Sequence, residues 1–137
     1  LWAFHSNTKI TMTNNHINNE NDENENNENE VSKKIKDIKI NDETYYGKVL
    51  GIIKLEVNDI YKYKDVITTG DQIIKIRNNW FKIKELNESK KLKMKKKIFY
   101  HLIIENNNKL LINDMTFTDF EQYSGLDNFI DKKISKL

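Results

Sequence analysis

The sequence predicts an all-β domain, and three observations carry that prediction. Short apolar runs rich in Ile, Val and aromatic residues recur along the chain, the composition of half-buried strands. Turn signals built on Asn and Asp separate them roughly every 8–12 residues, the rhythm of a barrel or of sheets folded on themselves. Helical spacing of apolar residues is confined to the C-terminal tail.

Taken in order, residues 8–12 (TKITM) alternate Ile10 and Met12 against Lys and Thr and predict the first strand. Residues 14–30 (NNHINNENDENENNENE) have only Ile17 to bury, and their carboxylates repel one another. Such a segment cannot offset its ordering entropy, so a disordered surface insertion is expected. Residues 35–40 (IKDIKI) predict a short turn or strand leading into the polar turn Asn41-Asp42-Glu43. Strands are then expected over residues 48–57, 60–63, 66–69, 72–77, 80–83, 98–105 and 109–112. Turns are expected at Asn58-Asp59, Gly70-Asp71, Asn78-Asn79, Asn106-Asn107-Asn108 and Asn113-Asp114. With no Pro and only four Gly, tight turns must lean on Asn and Asp, which tolerate left-handed backbone better than other residues bearing a Cβ.

Residues 86–97 (LNESKKLKMKKK) are strongly basic and predict a solvated loop or hairpin tip. They carry Leu92 and Met94 but no aromatic on which a base could stack. In the tail, Leu126, Phe129, Ile130, Ile134 and Leu137 fall at helical spacing behind Ser124 as N-cap, which predicts a short amphipathic helix.

At 137 residues and 16.4 kDa the chain has room for one domain. A net charge of +2 is too weak a bias to argue for nucleic acid. No apolar run approaches the roughly 18 residues of a membrane helix, and no signal-peptide pattern opens the chain. A soluble, cytoplasmic monomer with neither nucleic-acid nor membrane partner is therefore expected. Cysteine is absent, which excludes disulfides, a thiolate zinc site and a thiol nucleophile. Without a Gly-rich phosphate loop or a His/Asp/Glu cluster at ligand spacing, no cofactor and no metal are expected.

Four blocks point to a family. Leu1-Trp2-Ala3-Phe4-His5-Ser6-Asn7-Thr8-Lys9-Ile10-Thr11-Met12 resembles the opening block of hedgehog/intein (Hint) domains, with Ala3 at the position of the attacking Cys. Ile35-Lys36-Asp37-Ile38-Lys39-Ile40-Asn41-Asp42 resembles the second block, an Ile-x-Asp-Ile segment followed by an Asp. Val66-Ile67-Thr68-Thr69-Gly70-Asp71-Gln72-Ile73-Ile74-Lys75 is similar to the Thr-x-x-His block, with Thr69 on the Thr and Gln72 on the His. Trp80-Phe81-Lys82-Ile83 matches the turn after it. Ile98-Phe99-Tyr100-His101-Leu102-Ile103-Ile104-Glu105-Asn106 resembles the Tyr-x-Leu strand and turn near the domain's end, which puts Thr118-Asp119 on the terminal His-Asn. Phe117-Thr118-Asp119-Phe120-Glu121 partly matches the closing signature of viral and protist Hint-like domains.

The resemblance implies a Hint-type horseshoe of short, curved, mostly antiparallel strands. Its parts would be an upstream remnant at residues 1–2, the domain at 3–121 with the insertion 14–30, and a C-terminal extension at 122–137. It also implies a reaction: the first Cys attacks the preceding carbonyl, here that of Trp2, and turns the amide into a thioester. The substrate is the chain's own upstream polypeptide; a side chain, a small nucleophile or water resolves the thioester. The residues it singles out are Ala3, Thr69, Gln72, His101 and Asp119. Ala3 carries no nucleophile. Gln72 can hydrogen-bond but cannot titrate, so it could orient the amide without moving a proton. His101 is the one imidazole expected near the site and could replace the missing acid. Asp119 cyclises less readily than Asn, and Phe120 cannot accept an acyl group, so splicing is disfavoured. Ala3 reads either as a deliberate Cys replacement that traps the uncut precursor, which the retained Leu1-Trp2 favours, or as natural decay, which Gln72 favours. A degenerate Hint fold serving as a binding module is the alternative function, and a nucleic-acid-binding barrel using the basic stretch stands behind both.

Overall fold

The structure, a computed structural model, describes residues 3–13, 31–106 and 108–118. Among them the chain is all-β, with helical geometry only in two 3₁₀ turns, Ile35–Asp37 and Ile83–Glu85. In chain order the strands are β1 (Phe4–His5), β2 (Lys9–Met12), β3 (Val31–Lys34), β4 (Glu43–Thr44), β5 (Gly47–Val57), β6 (Ile60–Tyr63) and β7 (Val66–Thr69). They continue with β8 (Ile73–Ile76), β9 (Asn79–Lys82), β10 (Lys90–Lys91), β11 (Lys97–Ile104), β12 (Lys109–Ile112) and β13 (Met115–Thr118). Among the described residues no helix is long and apolar enough to cross a membrane.

Nine strands form one sheet in the order β10-β6-β7-β1-β11-β5-β4-β2-β3, and four form a second in the order β12-β13-β8-β9. The long pair β5–β11 is the spine, antiparallel from Lys97 opposite Val57 to Ile104 opposite Val49, with a bulge at Ile103/Ile104. β1 enters this sheet between two partners, its Phe4 opposite Tyr100 of β11 and opposite Thr68 of β7. Phe4 is thus held in the middle of a sheet rather than at an edge.

Three hairpins show how a chain poor in Gly makes tight turns. Lys64-Asp65, Arg77-Asn78 and Asn113-Asp114 each hold both central residues at positive φ (44° and 68°, 53° and 68°, 51° and 66°). That is the backbone of two-residue hairpin loops whose twist matches the strands they join. An Asn or Asp takes the second place in each, as the composition requires. The expected turn at Asn78-Asn79 lies one residue earlier, because Asn79 pairs with Ile76 and opens β9.

Strands 60–63, 66–69 and 109–112 fall where expected. Residues 35–40 contain a 3₁₀ turn rather than a strand, with Ile35 and Ile38 buried beneath it. The basic stretch is only in part a loop: Lys90–Lys91 pair with β6 as an edge strand, and Leu92 N–H donates to the Ile60 carbonyl (2.8 Å). Leu92 and Met94 pack on a buried cluster, which anchors the segment. The expected disordered insertion at 14–30 and the tail helix lie outside the described residues.

The main core gathers, among others, Phe4, Ile10, Val49, Ile74, Leu102, Ile104 and Phe117. Each large side chain so buried contributes about 1.5–3 kcal/mol. A smaller cluster joins Ala3, Val57, Ile60 and Phe99. Successive side chains of an extended segment point to opposite faces, and residues 3–5 follow this rule. Phe4 meets Phe117 edge-on across the main core (5.2 Å between ring centres), whereas Ala3 lies in the smaller cluster and His5 meets the edge of Phe99 (5.9 Å).

Candidate functional site

Residue 3 is held by one dipeptide, Thr68-Thr69 at the end of β7. The Ala3 N–H donates to Thr69 Oγ1 (3.1 Å), and the Ala3 carbonyl accepts from the Thr69 N–H (3.1 Å) and from Thr68 Oγ1 (2.6 Å). All three residues are buried, with exposures of 0, 0 and 1% for Ala3, Thr68 and Thr69. Buried polar groups are costly unless paired; here the two hydroxyls and the backbone of residue 3 pair with one another. The sequence comparison singled out Ala3 and Thr69, and the fold brings them together across 66 residues. It gave no signal for Thr68.

The turn after Thr69 is tightly fixed. Gly70 N–H donates to the Asp59 carbonyl (3.2 Å), Gln72 N–H to the Thr69 carbonyl (3.2 Å), Ile83 N–H to the Gln72 carbonyl (2.9 Å) and Lys84 N–H to the Gly70 carbonyl (3.0 Å). Lys84 Nζ lies 3.0 Å from Asp71 Oδ1. Burial alone would raise the Asp71 carboxyl, but the bond and charge of Lys84, followed by weaker charges, hold it below the ordinary carboxylate value. Gly70 leaves no space for a side chain: a Cβ there would meet Tyr61 Cε1 at 2.7 Å and Asp59 Oδ2 at 2.8 Å.

Gln72 was expected to begin a strand; it sits in this turn and β8 opens at Ile73. Its side chain is buried and turns toward the far end of the chain, Nε2 donating to the Thr118 carbonyl (2.8 Å). The Ala3 N–H, which Gln72 could have helped to orient, is bonded by Thr69. Gln72 Oε1 is fully buried and has no hydrogen-bond partner among the described residues. An unpaired buried carbonyl of this kind costs about 1–3 kcal/mol.

His101 lies on β11 opposite Ile53 and is half-buried. It lines a small cleft together with Gln72, Asn108, Thr118 and the apolar side chains of Phe4, Leu102, Leu110 and Phe117. Asn108, which the sequence did not single out, ties this cleft together: its Oδ1 accepts from Ile104 N–H (3.0 Å) and its carbonyl accepts from Thr118 Oγ1 (3.2 Å). Asp119 lies outside the described residues, although Thr118, to which it is joined, is in place. His5 accepts the Asn7 N–H on Nδ1 (3.0 Å), and burial, followed by the charge of Lys97, lowers its pKa. Among the described residues no three His, Asp or Glu side chains gather as they would around a metal ion.

The arrangement therefore connects three distant parts of the sequence: residue 3, the turn 69–72 and the end of β13. Thr69 touches the nitrogen of the bond that precedes residue 3, and Gln72 touches the bond that follows Thr118. In three dimensions the chain is similar to the crystal structure of the gp41-1 intein, with a TM-score of 0.56 and 14% identity over 87% of this chain and 99% of that one. A triply substituted variant of that intein is similar to the same degree, with a TM-score of 0.54 and 14% identity over 87% and 100% of the two chains. No protein-family model matches the sequence, and no curated protein matches it. The likeness lies in the path of the backbone and extends over the whole length of the intein. With residue 3, the β7–β8 turn and the β13 end brought to one place, the fold of this chain is intein-like.

Proposed function

We propose that this is a self-processing domain that acts on the polypeptide joined to its own residue 3, and that Ala3 keeps it inactive. The observation that carries the reading is the buried slot in which Thr69 Oγ1 accepts the N–H of residue 3. With a Cys at this place, its sulfur would attack the Trp2 carbonyl carbon. The bond to the residue-3 nitrogen would break, leaving a thioester on sulfur and an amine on residue 3. An amide nitrogen leaves only when it is protonated, and the oxyanion formed on the way needs donors. A hydroxyl both donates and accepts, so Thr69 can follow the nitrogen as it changes from N–H donor to lone-pair acceptor. His101 is the group we assign as the acid, since Gln72 cannot give up a proton at neutral pH. Water or a small nucleophile would then resolve the thioester, since Asp119 and Phe120 do not suit splicing. Alanine in place of a first-position cysteine, as in the gp41-1 variant, accords with an intact fold.

One observation favours a second reading, a Hint fold kept as a non-catalytic binding module: Gln72 spends its amide on Thr118 rather than on residue 3. Reversion separates the two. Ala3→Cys should yield a cleaved product, or a thioester that hydroxylamine releases, on denaturing gels and by mass. If the doubly reverted Ala3→Cys/Gln72→His chain stays intact with added thiol, the module reading replaces ours.

A further inference from the structure

We infer that Thr68 is a positioning residue for cleavage, its hydroxyl locking the carbonyl of residue 3 while the nitrogen of that residue is released. The inference rests on the self-processing reading. β1 is only two residues long, so its pairing alone holds residue 3 weakly. Three hydrogen bonds compensate, and they divide the work. The N–H bond to Thr69 Oγ1 is lost or remade as the nitrogen changes state, whereas the two bonds on the carbonyl are untouched by the chemistry. Of these two, the Thr68 bond is the shorter, 2.6 against 3.1 Å. Holding the carbonyl fixes ψ of residue 3, holding the N–H fixes φ, and together they set the direction of the Cβ bond that would carry the sulfur.

Packing alone does not explain a threonine here. Thr68 is 0% exposed on a strand that pairs with two neighbours, a place where Val would fill the same volume without a polar atom to satisfy. The hydroxyl is used for one bond, and that bond goes to residue 3. Because the Thr69 N–H also reaches the same carbonyl, a Thr68→Val chain leaves no orphaned acceptor and should fold.

The test uses Ala3→Cys as parent and follows thioester formation with hydroxylamine. A misplacement of about 1 Å can cost ~100-fold in rate, so Thr68→Val should slow the reaction by roughly 10- to 100-fold. Thr68→Ser, which keeps the hydroxyl and loses the methyl, should stay within about threefold of the parent. In the Ala3 chain, Thr68→Val but not Thr68→Ser should speed hydrogen exchange of the residue-3 amide at least about tenfold, a change that loss of one bond near 1.4 kcal/mol would produce. An active parent in which Thr68→Val is as fast as Thr68→Ser overturns this inference and leaves self-processing standing. A parent inert even with Gln72→His overturns the self-processing reading and this inference with it.

Discussion

A thiol placed on residue 3 would sit among Val57, Ile60 and Phe99, with Leu55, Ile67, Leu92 and Met94 packed around them. Ala3 itself is 0% exposed, and its backbone polar groups are already engaged by Thr68 and Thr69. A free cysteine has a pKa of about 8.5, and apolar surroundings raise it because they disfavour the anion. In the Ala3→Cys protein the thiolate should therefore be a small and strongly pH-dependent fraction at neutrality. Below its pKa that fraction grows tenfold per pH unit, so alkylation of the thiol by iodoacetamide should quicken by about 100-fold between pH 6 and pH 8 and continue to rise above pH 8.5. Cleavage, which on the reading above also needs His101 protonated, should rise less steeply over the same range. The assays are mass time courses of alkylated and of cleaved chain after acid quench, from pH 6 to 9. An alkylation rate that is flat from pH 6 to 8, or a thiol that reacts faster than a free cysteine at pH 7, would refute this reasoning and place a base or cation beside residue 3. The extra sulfur also has to fit: overpacking a closed core costs about 1–3 kcal/mol, and a denaturant midpoint lowered by more than that would show that the pocket is shaped for alanine.

Other outcomes follow from the packing and the charges. Phe117→Ala removes a fully buried ring that meets Phe4 edge-on, and chemical denaturation should show a loss of about 3–5 kcal/mol. Gly70→Ala pushes a methyl against Tyr61 and Asp59, so the same measurement should show about 1–3 kcal/mol lost. The folded pKa of His5 is lowered, so the unfolded chain binds the proton more readily. His5 therefore contributes stability that is present above pH 6.5, its unfolded value, and is lost as pH falls through the lowered folded value. Denaturant midpoints should decline over that window, and His5→Gln should flatten the decline.

Regular strands were the legible part of this sequence. Residues 60–63, 66–69 and 109–112 carry β-branched or aromatic side chains between clear turn residues, and there local chemistry and tertiary pairing agree. The strands that escaped are made by context. β1 and β4 are two residues each and exist because a neighbour offers hydrogen bonds. β10 is a pair of exposed lysines, a poor strand by composition but a sound edge, since charged residues discourage further pairing. β13 reads MTFT, with only Met115 and Phe117 to mark it, yet both Phe117 and Thr118 are buried because β8 and β12 flank them. At the site, the ordered blocks pointed to Ala3, Thr69, Gln72, His101 and Asp119; the fold joins Ala3 to Thr69 and sets Gln72 and His101 in the cleft beside Thr118, while Asp119 lies outside the described residues. Which Gln72 partner wins was not legible, since a side-chain amide is equally suited to residue 3 and to Thr118. Nor was Thr68: two adjacent threonines look alike in a list of residues, and only the register of β1 against β7 aims both at residue 3.

Phe4 and His5 occupy a slot bounded by β7 and β11, strands formed more than sixty residues further along. During synthesis Phe4 and His5 thus leave the ribosome well before either of their partner strands exists. Until β11 exists, residue 3 has no closed surroundings and Thr68-Thr69 have nothing to hold. In the self-processing domain proposed above, such an order would act as a timer: a cut before residue 3 would wait until the final long strand is made.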